Sequence, residues 1–190
     1  MWSYNLRMGV ATLISREEYL STSYRPDPDY LEGEVIERNV DKRIHACSQA
    51  EIAAWVGSRK TQFRLQPLTE LRLQVTPNRV RIPDLLIAKI PIPDEEVFTH
   101  PPYLCIEIMS PDDTMANLQD RLDDYLTFGI PNIWVIACST DDPWKFRGWT
   151  ITPAGWSTAP DQIMRTADNS LAMPLADVLL PQSLAPSTPS

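Results

Sequence analysis

The chain has 190 residues, of which 43% are apolar and 22% charged, a balance that suits one globular domain with its own core. No apolar run reaches the roughly 18 residues that cross a bilayer, so no membrane association is expected. The stretch from Met8 to Ile14 is too short for a secretory h-region and runs straight into Arg16, Glu17 and Glu18, so no signal peptide is expected. The three cysteines, Cys47, Cys105 and Cys138, lie far apart and form no C-x-x-C, which excludes a disulfide framework and a zinc ribbon and predicts buried, reduced thiols in a cytoplasmic protein.

Residues 1–12 are expected to be an N-terminal extension, with Met8 a candidate start. Residues 13–180 are expected to form a single domain, and 181–190, rich in Pro and Ser, a disordered tail. The pattern Ser15-Arg-Glu-Glu18 predicts a capped helix running to about Ser23. Pro26 and Pro28 mark a loop, and the partial alternation from Tyr30 to Glu37 predicts a strand. Asp41 is a candidate cap for a helix carrying Ile44, Cys47, Ile52, Trp55 and Val56. Leu68 to Val75 reads as a half-buried strand after an extended segment at 62–66. With Val80 to Ile90 it predicts a hairpin around Thr76-Pro-Asn-Arg79.

A proline-rich connection then leads to Tyr103–Met109, an apolar run expected to be a central strand. The next helix places Leu118, Leu122, Tyr125 and Leu126 on one face and ends at Gly129. A buried strand at 132–138 and a closing hairpin at 144–158 complete the pattern. The expected fold class is α/β, a mixed sheet with a helix on each side.

Net charge is −8, yet residues 38–81 carry nine Lys and Arg against three acids. Such a segment can build a phosphate-binding face, or simply solvate a helix and two strands. More telling are two acids placed where strands should be apolar. Asp84 heads Leu85-Leu-Ile-Ala, and Glu107 interrupts Leu104-Cys-Ile-Glu-Ile-Met. A lone carboxylate in such a strand is costly to bury without a partner. Neighbouring strands would bring the two together, and paired carboxylates resist double ionisation unless a divalent cation neutralises them. Oxygen ligands suit Mg²⁺ or Mn²⁺. The alternative is a pair of strand-end acids bound to arginines such as Arg79 or Arg81.

Several segments carry a family resemblance. These are Arg81-Ile-Pro-Asp84, the run from Pro102 through Ile106-Glu-Ile-Met-Ser-Pro111, and Tyr125-Leu-Thr-Phe-Gly-Ile-Pro-Asn-Ile-Trp134-Val-Ile. Together they resemble a large bacterial family labelled as restriction endonucleases, within the PD-(D/E)XK nuclease superfamily. Asp29-Tyr-Leu-Glu-Gly-Glu34 and His45 match its opening, and the likeness covers roughly residues 13–138. The resemblance implies a restriction-endonuclease-like mixed β-sheet core flanked by helices. It also implies a Mg²⁺-dependent DNA endonuclease acting as a homodimer. Asp84 and Glu107 would be its metal ligands, Glu34 a further active-site acid, and His45 a residue lining the site. Glu70 is a weaker candidate on the adjacent strand.

Two departures bear on activity. The superfamily pattern places a Lys two residues after the Glu, where this chain has Met109. In the family that Lys lies on the following helix, at the position of Arg121. An arginine can hold a phosphate bidentately but cannot act as a general base. Arg121 could equally pair with Asp124 along the helix. Two other readings stand beside the nuclease. One is a nuclease-fold protein without catalysis that binds nucleic acid or a partner. The other is a hydrolase of some other phosphate ester.

Overall fold

A computed structural model describes residues 13–37, 43–109, 114–139 and 145–179. The Ser15 side chain accepts a hydrogen bond from the Glu18 N–H (3.1 Å) and starts α1 (Arg16–Ser21). Where one strand is predicted over Tyr30–Glu37, the chain doubles back as β1 (Asp29–Leu31) and β2 (Glu34–Ile36). The turn residues Glu32 and Gly33 both have positive φ, 51° and 101°. A tight hairpin turn requires this, and Gly33 supplies it without strain.

Helix α2 (Arg43–Ser58) buries a stripe of His45, Ser48, Ile52 and Val56. Its predicted cap, Asp41, lies outside the described residues. Cys47 is exposed, against the expectation of a buried thiol, because it lies off that stripe. Helix α3 (Lys60–Phe63) takes up part of the segment predicted as extended. Then follow β3 (Leu65–Thr69), β4 (Leu73–Thr76), β5 (Arg79–Arg81) and β6 (Leu85–Lys89).

The predicted hairpin exists, but its arms divide between two sheets. β4 pairs with β5, and β3 pairs with β6. One arm breaks at Glu70, where φ is 50°, and the other at Pro83, which has no N–H to donate. Asp84 therefore stands at the corner where the chain passes from the small sheet to the large one.

The chain continues through β7 (Leu104–Met109), α4 (Met115–Phe128), β8 (Ile133–Cys138), β9 (Phe146–Thr152) and β10 (Gly155–Thr158). A small ribbon of β11 (Ile163–Arg165) and β12 (Ala172–Pro174) leads into α5 (Leu175–Leu179). Helix α4 is capped by the Thr114 side chain and ends at Gly129, φ 87°. The large sheet runs β10-β9-β8-β7-β6-β3, and the small one β2-β1-β5-β4. β7 and β8 are parallel, and the other pairings in the large sheet are antiparallel.

Alternation sorts the central strands between two cores. Leu104, Ile106, Leu85 and Ile87 pack with Ile52 and Val56 of α2. Cys105, Leu86 and Ala88 pack with Leu118, Leu122 and Tyr125 of α4. This is the mixed sheet with helices on both faces that the sequence predicts. The α2 face is closed beside β9 by Gly148, whose missing side chain leaves room for Met164 and Leu175. A Cβ there would collide with the Met164 sulfur. Gly148→Ala is therefore expected to lower stability by about 1–3 kcal/mol, read as a lower urea midpoint with unchanged slope.

Candidate active site

β7 and β6 pair through Leu85 and Ile106. One step further along this register, Asp84 lies opposite Glu107. Opposed residues of antiparallel neighbours point to the same face, with Cα atoms about 5 Å apart. The sheet thus sets the two acids side by side at one end of its central strands. Both are buried, each about 2% exposed.

Each acid is held from a different helix. Asp84 Oδ2 accepts from the Ile108 backbone N–H (2.7 Å) and from His45 Nε2 (3.1 Å). Gln49, one turn beyond His45 on α2, donates to the Asp84 carbonyl at 2.8 Å. From α4, Tyr125 OH donates to Glu107 Oε1 (2.6 Å) and Arg121 Nη1 to Glu107 Oε2 (3.2 Å). Arg121 and Tyr125 are four residues apart, so they share the helix face turned toward β7.

A second layer of charge lies behind Arg121. Its Nε is 3.5 Å from Asp29 Oδ2. Asp29, on β1, also accepts from the Ile82 N–H (3.0 Å) and from Arg81 Nη1 (3.0 Å). Arg81 Nε reaches Asp124 Oδ2 at 2.6 Å, and its other amino group pairs with Asp120. Arg79 binds Asp124 Oδ1 at 2.5 Å and Asp120 at 3.2 Å. Small sheet, α4 and large sheet are thereby joined through one chain of ion pairs. Four carboxylates, of Asp29, Glu107, Asp120 and Asp124, and three guanidiniums take part among the described residues.

The electrostatics follow from burial and neighbours. Burial opposes the Arg121 charge, but Glu107 and Asp29 outweigh it and hold the guanidinium protonated well above its usual range. Burial and then Glu107 push the Tyr125 hydroxyl well up, so it remains a donor. Burial, with Glu107 and Asp84 adding to it, does the same to the Cys105 thiol. Burial raises Asp124 above the ordinary carboxylate range despite two arginine partners.

Of the residues expected at the site, Asp84, Glu107, Arg121 and His45 are brought together. Glu34 is not. It begins β2, at the edge of the small sheet, with its side chain exposed, because the turn at Glu32-Gly33 reverses the chain before it. Glu70 is exposed as well and meets Asp84 only through its backbone N–H, 3.4 Å from the Asp84 carbonyl. Arg121 does not pair with Asp124, which Arg79 and Arg81 occupy instead. Nor do those two arginines reach Asp84 or Glu107.

Asp29 and Tyr125 take part without having been expected. Asp29 heads the buried run Tyr30-Leu31 much as Asp84 heads its own strand, and that likeness was the available signal. Tyr125 was assigned to the core, although its spacing from Arg121 already placed both on one face. The basic segment is also spent differently from either expectation. Arg72 binds Asp27 (2.7 Å), and Arg79 and Arg81 are held in the network above. Three of its nine basic side chains are thus neutralised internally.

The sequence model of the Uma2 family, described as "Putative restriction endonuclease", matches residues 16–162. The chain belongs to the Uma2 family. Its match spans α1 through β10, so both sheets and all the acids above lie within the family's extent. The fold of this Uma2 member is shared with a crystal structure from Anabaena variabilis ATCC 29413, titled "a putative nuclease belonging to DUF820". The TM-score is 0.71, with 22% identity over 87% of this chain and 97% of that one. No curated protein matches the sequence. Among the described residues no helix is long and apolar enough to cross a membrane.

Proposed function

We propose that the protein is a Mg²⁺- or Mn²⁺-dependent DNA endonuclease. The observation that carries this reading is the side-by-side placement of Asp84 and Glu107, with Arg121 fixed 3.2 Å from Glu107. The family's description supports phosphodiester chemistry.

The donor set suits a hard divalent cation. No group of three or more His, Cys, Asp or Glu side chains among the described residues is arranged to hold a metal alone. Mg²⁺, however, takes one or two carboxylates and fills its remaining positions with water and substrate phosphate. Among the described residues, Asp84 and the four carboxylates of the network outnumber the three guanidiniums, which favours a cation. Asp84 and Glu107 would hold it, and when bound it supplies an acidified water and charge stabilisation at phosphorus.

The chain's own residues have separate tasks. Ile108 N–H and His45 fix the Asp84 carboxylate. Tyr125 fixes that of Glu107. Arg121 offers a permanent positive charge to a non-bridging phosphate oxygen. Because its proton is held so firmly, Arg121 acts by charge, and the attacking water must lose its proton to another base. Two copies of the chain would present two sites to the two strands, which sedimentation would register as a dimeric mass.

The test is incubation of the protein with supercoiled, linear and single-stranded DNA in Mg²⁺, Mn²⁺ or EDTA. Cleavage in either metal and none in EDTA is expected. A folded protein that cuts no DNA form in either metal would sink the reading. Arg121→Lys then separates charge from proton transfer. If Arg121 acts by charge alone, this variant keeps a rate within about tenfold of the parent, because the positive charge stays. It also gains an alkaline inflection, because lysine titrates and Arg121 does not.

One observation favours a second reading. The arginine at this position is locked onto Glu107, and Met109 stands where the superfamily pattern has its Lys. A binding module without catalysis follows if Arg121→Lys also stays silent.

A further inference from the structure

The sheet end that carries Asp84 and Glu107 continues past them. Glu107 lies beside Val135, and Val135 opposite Trp149. One row further out, Met109 lies beside Ala137, and Ala137 opposite Arg147. In-register neighbours share a face, so Arg147 stands on the Glu107 side of the sheet, two strand spacings across and one row along, or roughly 12 Å away. A cavity of about 470 Å³ opens at this end of β8 and β9, lined by Ala137, Arg147 and Trp149 from the Glu107 side and by Cys138 and Phe146, which pack against the α2 core, from the other.

Arg147 differs from the arginines already described. Arg72, Arg79, Arg81 and Arg121 are each bound to carboxylates. The Arg147 side chain is exposed and lies over the Trp149 ring, 5.9 Å from its centroid. Among the described residues it has no ion pair. The indole lies beside the guanidinium, and both side chains line the cavity. Gln162, also exposed, brings an amide donor to the same space.

We propose that this cavity is a second phosphate subsite, in which Arg147 holds the backbone of the nucleic-acid strand flanking the bond at Asp84 and Glu107. The proposal rests on the nuclease reading for its substrate and goes beyond it in assigning a binding residue outside the acidic centre. Its position makes the chemistry specific. The cavity and the acids open at the same end of adjacent strands, where ligands of α/β sheets gather. The roughly 12 Å between Arg147 and Glu107 is a span that one nucleic-acid strand covers between a phosphate and its near neighbours. Among the described residues no carboxylate lines the cavity, and an exposed guanidinium is the side chain best shaped to bind a phosphate diester.

The test uses the full chain carrying Asp84→Asn, so that binding is read without cleavage. Affinity for a short DNA duplex is measured by fluorescence anisotropy over a series of salt concentrations, with and without Mg²⁺. Adding Arg147→Ala is expected to lower affinity roughly three- to tenfold and reduce the salt slope by about one. Arg147→Lys is expected to keep the slope. An unchanged slope in Arg147→Ala, or no DNA binding at all, overturns the subsite. The two readings separate cleanly. A protein that cuts DNA but binds it with an Arg147-independent slope keeps the nuclease and loses the subsite. A protein that never cuts, yet binds through Arg147, loses the nuclease and keeps the subsite. Thermal melting of Arg147→Ala at the parent temperature confirms that an exposed side chain, not the fold, was changed.

Discussion

Asp84→Asn is expected to leave the protein folded and to cut its metal-dependent cleavage of DNA by roughly a thousandfold. That is the several kcal/mol attributed to metal assistance in such reactions. The amide keeps the shape of the carboxylate, and its oxygen can still accept the Ile108 N–H that Asp84 Oδ2 accepts at 2.7 Å. What it loses is the negative charge beside Glu107. Asp84→Ala removes the acceptor too, and a buried N–H without a partner costs about 1–3 kcal/mol of stability. The pair therefore separates two roles. Both variants should be inactive, and only the alanine should melt markedly lower. Initial rates on supercoiled plasmid and a urea titration read the two quantities. Parent-level cleavage by Asp84→Asn would remove Asp84 from the chemistry.

Arg81→Met should produce the largest loss of stability that any single change in the network causes. Arg81 is about 3% exposed and bridges Asp29 and Asp124, which are almost equally buried. Methionine fills similar space but leaves both carboxylates without their shared partner. Breaking a buried pair from one side costs about 3–5 kcal/mol. The pair with Asp120 adds little, since that carboxylate is half exposed.

The loss should depend on pH with a definite sign. Asp124 is already raised by burial with Arg81 present, and without it that carboxyl should rise further in the folded state. A carboxylate whose folded pKa exceeds its unfolded one binds more protons in the native state, so stability falls as pH rises through that range. The deficit of Arg81→Met should therefore be full at neutral pH and shrink toward acid pH. Urea midpoints across pH would show it, and a deficit below about 1 kcal/mol at pH 7 would mean the network contributes little. Activity should suffer as well, because Asp29 helps hold Arg121, and Arg81 holds Asp29.

The amino-acid pattern alone determined the strands around Asp84 and Glu107, the helix carrying Leu118, Leu122, Tyr125 and Leu126 with its end at Gly129, and the layered α/β architecture. These are local matters. Hydrophobic period, capping residues and turn chemistry act over a few residues and leave a direct trace in order and spacing. The same reasoning singled out Asp84 and Glu107, since a carboxylate inside an apolar strand is anomalous wherever that strand ends up. It stopped short at Glu34, because a two-residue turn decided which way the strand faced.

Only the tertiary structure decided which charges meet. Asp29 and Arg121 are far apart in the chain and touch because the hairpin of β3–β6 bends between two sheets and carries β5, with β1 beside it, against α4. Arg79 and Arg81 look in sequence like a phosphate-binding surface, yet they are consumed by Asp120 and Asp124, whereas Arg147, outside the basic segment, faces solvent. Charge carries no address in sequence. Any carboxylate can satisfy any guanidinium, and the choice is made by which strands the fold sets side by side.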